Sequence, residues 1–224
     1  MNDLVYIVIP AKDEGSRIDR VVSGVREQGY EHIIVVDDGS QDQTGHKAKA
    51  AGAEVVSHLV NLGAGAATKT GIECALENGA DYIVTLDGDG QHYPEDIPHL
   101  LEKLMEGNLD VVLGSRFKHP DNKIPRSRLI LNRLGNALTA LITGLWVSDS
   151  QSGMKAFRAE FGQKLDFQFS GYEFCTEFIH LIRHHRATFR EIPIRVHYSE
   201  ETMTKGQSVR NGFQMVLKFI REFV

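Results

Sequence analysis

The chain has 224 residues, 42% hydrophobic and 25% charged, with a formal net charge of −5; this is globular composition with room for one sizeable core, and the negative balance argues against a nucleic-acid binder. Its two cysteines, Cys74 and Cys175, fit neither a disulfide framework nor metal-ligand spacing, which points to a reducing, cytoplasmic setting. Asn2-Asp3 runs straight into a strand pattern, so no signal peptide is expected, and the uncharged run Leu134 to Ser148 falls short of the roughly 20 residues a bilayer span needs.

Short apolar runs alternate with segments of helical period, the pattern of βαβ units around a largely parallel sheet. Val5 to Ile9 is followed by a helix near Gly15 to Gln28. Ile33 to Val36 leads to one near Thr44 to Ala51, and Glu54 to Ser57 to one near Ala64 to Asn78. Tyr82 to Leu86 precedes a helix from Glu95 to Glu106 introduced by Pro94, and Val111 to Gly114 closes the series. After Pro125 the order changes: an apolar helix from Arg126 to Trp146, an extended piece at Ser152 to Phe157, a helix at Tyr172 to His185, a strand at Thr188 to Val196 and a final helix. No repeat or linker breaks the chain, so a single domain, residues 1–224, is the economical reading.

Ligands of open parallel sheets bind beyond the carboxyl ends of the strands. Every polar cluster of the first half falls there: Pro10-Ala11-Lys12-Asp13-Glu14, Asp37-Asp38-Gly39-Ser40, Asn61-Leu62-Gly63-Ala64-Gly65, and Asp87-Gly88-Asp89-Gly90-Gln91-His92. Any one of these could be a helix cap; four on one rim make a site. The last cluster carries the chemistry. Two carboxylates at i and i+2, projecting from a turn after a strand, suit a hard divalent cation held against a diphosphate.

Taken together, Ile9-Pro10-Ala11-Lys12-Asp13-Glu14, Val36-Asp37-Asp38-Gly39-Ser40, Asp87-Gly88-Asp89-Gly90-Gln91-His92 and Gly114-Ser115-Arg116 resemble the inverting family-2 glycosyltransferases of GT-A fold. Asn61-Leu62-Gly63 with Lys69, and Asp149-Ser150-Gln151-Ser152-Gly153-Met154-Lys155-Ala156-Phe157-Arg158, are similar to the dolichyl-phosphate mannose synthase and polyprenyl-phosphate glycosyltransferase branch. The resemblance implies a Rossmann-like, mostly parallel sheet flanked by helices, with amphipathic helices in the C-terminal half. Residues 1–116 would bind a nucleotide-sugar donor and residues 117–224 a polyprenyl phosphate acceptor. Pro10, Ala11 and Glu14 would wall the base and ribose, Asp38 would read the base, and Lys69 would lie near the nucleotide. Asp87 and Gly88 would sit against the donor, with Asp87, Asp89 and Gln91 around Mg²⁺ or Mn²⁺, and Arg116 beside the phosphates.

Arg116, Lys118, Lys123, Arg126, Arg128 and Arg133 concentrate positive charge against the single acid Asp121, as an anionic substrate or lipid headgroup requires. Arg126, Arg128 or Arg133 could grip an acceptor phosphate in a guanidinium fork, and Arg126 joins Asp87 and Arg116 as an expected catalytic residue. A phosphate acceptor needs no general base. A hydroxyl acceptor, as in surface-polysaccharide assembly, would need one, with Glu177, Asp149 or Glu173 as the candidates. A nucleotide-sugar-binding module without catalysis is the reading from another class.

Leu134, Leu138, Leu141, Ile142, Leu145 and Trp146 form an apolar stripe, as do Val209, Phe213, Val216, Leu217, Ile220 and Phe223 opposite Arg210 and Lys218. Such stripes serve a core, a homodimer seam or peripheral contact with a membrane face. The chain departs from the branch before the last helix. Met203 stands where an arginine is usual, and the following element reads Gly206-Gln207-Ser208-Val209, with Lys205 and Arg210 nearby.

Overall fold

A computed structural model describes residues 3–197, apart from the side chains of residues 126–128. The expectations for Arg126 and Arg128, and those for Met203 to Arg210 and the stripe Val209 to Phe223, therefore lie outside what is described.

Seven strands form one sheet: β1 (Val5–Ala11), β2 (His32–Asp37), β3 (Glu54–Ser57), β4 (Tyr82–Thr85), β5 (Val111–Ser115), β6 (Lys155–Arg158) and β7 (Phe189–Pro193). Their order is β3-β2-β1-β4-β6-β5-β7. All pairings are parallel except those of β6, which runs antiparallel to both β4 and β5. The chain proceeds outward from β1 through β2 and β3, then crosses to β4 on the other side of β1. That reversal is where an open sheet opens a crevice, and it places the loop after β1 beside the loop after β4.

The helices are α1 (Ile18–Glu27), α2 (Thr44–Ala50), α3 (Ala64–Glu77), α4 (Ile97–Glu106), α5 (Arg126–Thr143), α6 (Ala159–Gly162) and α7 (Phe174–His184). Alternation along each strand builds two cores. Ile7, Ile9, Ile33, Val35 and Val84 pack with Ile18, Val22 and Val25 of α1 and Ile97, Leu100 and Leu104 of α4. Tyr6, Val8, Ile34, Val36 and Ile83 pack with Ala67 and Ile72 of α3 and Phe174, Phe178 and Ile182 of α7. The result is a three-layer sandwich, and the expected mostly parallel sheet flanked by helices is the fold observed.

Boundaries differ where the backbone turns sharply. The long helix ends at Thr143, before the expected Trp146, because Gly144 takes the left-handed conformation (φ 68°) that closes a helix. Pro94–Asp96 forms a single 3-10 turn ahead of α4, and α6 is an additional short helix.

Helix α5 is inverted relative to an ordinary surface helix. Among its described side chains, Asn136, Thr139 and Thr143 are the buried ones, whereas Leu134 is 63% and Leu141 81% exposed. The polar face docks by hydrogen bonds. Asn136 Nδ2 donates to Ser148 O, its Oδ1 accepts from Ser150 N (3.0 Å) and Ser150 Oγ (2.8 Å), and Thr139 Oγ1 meets Thr176 Oγ1 at 3.3 Å. Leu134, Leu141 and Trp146 of the stripe are thus not core, whereas Leu145 packs against the second core.

Candidate active site

A cavity of about 340 Å³ opens at the sheet reversal, within the range of small-molecule sites. Of the residues expected at the donor, Pro10, Ala11, Glu14, Asp38, Asp87, Gly88 and Asp89 line it. The second half of the chain contributes Gln151, Gly153, Tyr172 and Phe174 to the same walls, so the two halves share one cavity. Gly153 and Gln151 lay within a quoted motif. Tyr172 and Phe174 carried no local signal, because they are brought in by the packing of α7.

Asp87 follows β4 at the cavity floor. His92 Nε2 lies 3.2 Å from its Oδ2, and its carboxylate sits directly against Gly153, where any Cβ would overlap both oxygens. Burial works against the charge of Asp87, but the His92 hydrogen bond and the charges of His92, Lys155 and Arg116 outweigh it and hold the carboxyl below the usual range. Asp89 behaves oppositely. Burial and then the charge of Asp87 push its carboxyl up, although Gln91 donates to it from N (2.9 Å) and from Nε2 (2.6 Å). Two half-buried carboxylates, with the charge of Asp87 opposing the ionisation of Asp89, form a hard-oxygen donor set that fits Mg²⁺ or Mn²⁺. Gln91 does not line the cavity, and its amide nitrogen is committed to Asp89.

Asp38 lines the cavity, yet both its oxygens are engaged. Oδ1 accepts from Leu62 N (2.8 Å) and contacts His58 Nδ1 (2.8 Å), and Oδ2 accepts from Gly63 N (2.8 Å). Burial raises the Asp38 carboxyl, but these hydrogen bonds prevail and hold it below the usual carboxylate range. Asp38 therefore clamps the loop entering α3, and it does so at the cavity wall where the base-reading carboxylate was expected.

Two further expected site residues have partners outside the cavity lining. Lys69 does not line the cavity; its ammonium reaches Asp166 Oδ1 and Phe167 O, both at 3.3 Å. Arg116 is not a free phosphate fork. Its Nε and Nη2 each donate at 2.7 Å to the two oxygens of Asp149, whose Oδ2 also accepts from Arg116 N.

The same contacts dispose of two base candidates. Asp149 is locked to Arg116, and Glu177 accepts from Gln168 N (2.7 Å) and Phe169 N (3.1 Å). Neither lines the cavity, nor does Glu173. The first turn of α3 is also occupied: Gly65 N (2.7 Å) and Ala66 N (3.2 Å) donate to Ser170 O. A helix N-terminus of this kind is the usual resting place for a phosphate. Here a backbone carbonyl fills it.

The family model for glycosyl transferase family 2 matches residues 6–165. UDP-N-acetylglucosamine–dolichyl-phosphate N-acetylglucosaminyltransferase of Methanococcus voltae is 33% identical, covering 97% of this chain and 95% of that one. Polyprenol monophosphomannose synthase of Mycolicibacterium smegmatis is 28% identical, covering 95% and 85%. Among solved structures, glucosyl-3-phosphoglycerate synthase from Mycobacterium tuberculosis, in complex with Mn²⁺, UDP and glucosyl-3-phosphoglycerate, superposes with a TM-score of 0.69 at 21% identity over 97% of this chain and 80% of that one. That likeness concerns the fold.

Proposed function

The chain belongs to glycosyl transferase family 2, and from that premise we propose that it moves a sugar from a nucleoside diphosphate donor to polyprenyl phosphate, with a divalent cation bound at Asp87 and Asp89. The relatives named for dolichyl-phosphate and polyprenol substrates support the acceptor class. The observation that carries the reading is the state of the carboxylates. Asp149 and Glu177 are locked by hydrogen bonds outside the cavity, while Asp87 and Asp89 line it. A phosphate acceptor is already anionic and needs no base, so a cavity whose described walls include none of the three base candidates suits it.

In this reading residues 1–116 hold the donor and residues 117–224 the acceptor. Pro10, Ala11 and Glu14 wall the nucleoside, and Asp38 shapes that end of the cavity through Leu62 and Gly63. Mg²⁺ or Mn²⁺, when bound, supplies Lewis-acid counter-charge to the departing diphosphate. The chain itself orients Asp87 from His92, holds Asp89 through Gln91, and adds the positive field of Lys155 and Arg116 near the developing negative charge. Catalysis then rests on in-line positioning and leaving-group stabilisation.

No helix among the described residues is long and apolar enough to cross a membrane. The outward leucines of α5, with exposed Arg133 beside them, fit peripheral contact with an anionic surface, where a polyprenyl acceptor resides. A panel of GDP- and UDP-sugars with Mn²⁺ or Mg²⁺, scored for nucleoside diphosphate release with and without a short polyprenyl phosphate, tests the proposal. Release that requires both metal and the phosphate acceptor is expected. Release driven equally by a sugar hydroxyl would overturn the acceptor assignment.

A further inference from the structure

We propose that Thr85, Gly153 and Lys155 are positioning residues that together build the seat of the Asp87 carboxylate. The inference rests on the metal reading of Asp87 and assigns three residues outside the expected ligand set.

Thr85 and Lys155 are cross-strand partners in the antiparallel β4–β6 pair. Each reaches back to the turn entering β6 and takes one of two successive carbonyls. Thr85 Oγ1 donates to Gly153 O at 2.6 Å, and Lys155 Nζ donates to Ser152 O. The two successive peptides carrying these carbonyls are thereby each held by a side chain of the β4–β6 pair. Its Gly153 Cα forms the surface on which the Asp87 oxygens rest, with His92 Nε2 bearing on Oδ2.

The chemistry of Lys155 is what separates this arrangement from ordinary packing. The side chain is 3% exposed and forms no ion pair among the described residues. Its ammonium lies 5.8 Å from the Phe174 ring centroid and 5.4 Å from that of Phe178. Burying an ammonium without a bonded carboxylate is costly, and a methionine would fill the same space without that cost. The compensation present is the Ser152 carbonyl, the two ring faces, and the Asp87 charge across Gly153, which Lys155 helps hold ionised.

Gly153 gives a clean probe. It is not among the glycines with positive φ, so alanine fits the backbone there, yet its methyl would occupy the space of the Asp87 carboxylate. Thr85→Val keeps shape and removes only the donor. The full chain and its Gly153→Ala, Thr85→Val, Thr85→Ser, Lys155→Met and Asp87→Ala variants would be titrated with Mn²⁺, alone and with UDP or GDP present, by calorimetry or electron paramagnetic resonance, alongside thermal melts. Gly153→Ala, Thr85→Val and Lys155→Met should weaken Mn²⁺ binding about ten- to a hundredfold, the scale of outer-shell losses at metal sites. Thr85→Ser should restore it, and Thr85→Val should melt close to the unaltered chain. If Asp87→Ala abolishes Mn²⁺ binding but Thr85→Val and Gly153→Ala bind normally, the seat is wrong and the metal reading stands. If Asp87→Ala binds Mn²⁺ as well as the unaltered chain, the metal reading fails and takes this inference with it.

Discussion

Arg116 and Asp149 meet as a two-pronged ion pair, Nε to Oδ2 and Nη2 to Oδ1 each at 2.7 Å, with the Asp149 side chain only 1% exposed. The pair ties the end of β5 to the loop after α5, close enough to the cavity floor for the Arg116 charge to act on Asp87. Removing either partner takes the counter-charge of the fork away from a largely buried group. Asp149→Asn should therefore cost about 3–5 kcal/mol in urea denaturation. Arg116→Lys keeps the charge but loses the fork, and should cost about 1–3 kcal/mol. An Arg116→Lys variant of full stability but reduced turnover would return Arg116 to the phosphates.

Asp89→Ala should abolish metal-dependent turnover while the fold survives, and Asp89→Asn should be nearly as damaging to rate. The effect on metal-free stability has the opposite sign. Because burial and Asp87 raise the Asp89 carboxyl, its ionised form is a penalty on the folded state. That penalty is present above the raised pKa and is relieved as pH falls through it. Metal-free Asp89→Asn should thus melt higher than the unaltered chain at neutral pH, with the difference shrinking on acidification. Mn²⁺ should raise the melting temperature most at neutral pH and least in the carboxylate range. A Mn²⁺ effect independent of pH would show that Asp89 is not a ligand.

Glu177 accepts from the Gln168 and Phe169 amides at the start of the segment whose Ser170 carbonyl caps α3 and whose Gly171 and Tyr172 line the cavity. Burial nonetheless pushes its carboxyl up. Glu177→Gln can satisfy these amides only with its single carbonyl oxygen. It should cost about 1–3 kcal/mol of stability and raise the donor KM more than it lowers kcat. A collapse of kcat with unchanged KM would instead make Glu177 a base.

The gathering of the polar loops was legible because each follows an apolar strand, and chain order alone puts those loops on one rim. Asp87, Asp89, Glu14 and Pro10 line one cavity for that reason, while the roles expected of Glu14 and Pro10 come from the family resemblance. What local sequence could not carry were partners far along the chain. Lys69 is an example: its ammonium meets Asp166 and Phe167, nearly a hundred residues on. Arg116 and Asp149 each suggested a reactive group singly, and only their meeting shows why neither is free. Hydrophobic period gives a strand's faces but not its direction, so the antiparallel entry of β6, and with it the turn at Ser152-Gly153 beneath Asp87, stayed hidden in a run read as continuous strand.

Helix α5 offers the sharpest test, since its polarity is reversed. Leu141 and Leu134 are largely exposed, and mutation to serine removes no core contact, so Leu134→Ser with Leu141→Ser should leave the melting temperature almost unchanged. Asn136→Leu, which makes the buried face more apolar, should instead be strongly destabilising. It strands Ser148 O and Ser150 N, with about 1–3 kcal/mol expected for each unsatisfied buried group. With vesicles containing anionic lipid, the unaltered chain should co-sediment, less so as salt screens the basic residues, and the double serine variant should be released. Loss of a dimer in the serine variant, with vesicle binding intact, would make the outward leucines a subunit seam. The lipid-linked acceptor would then rest on the relatives and on the locked carboxylates alone.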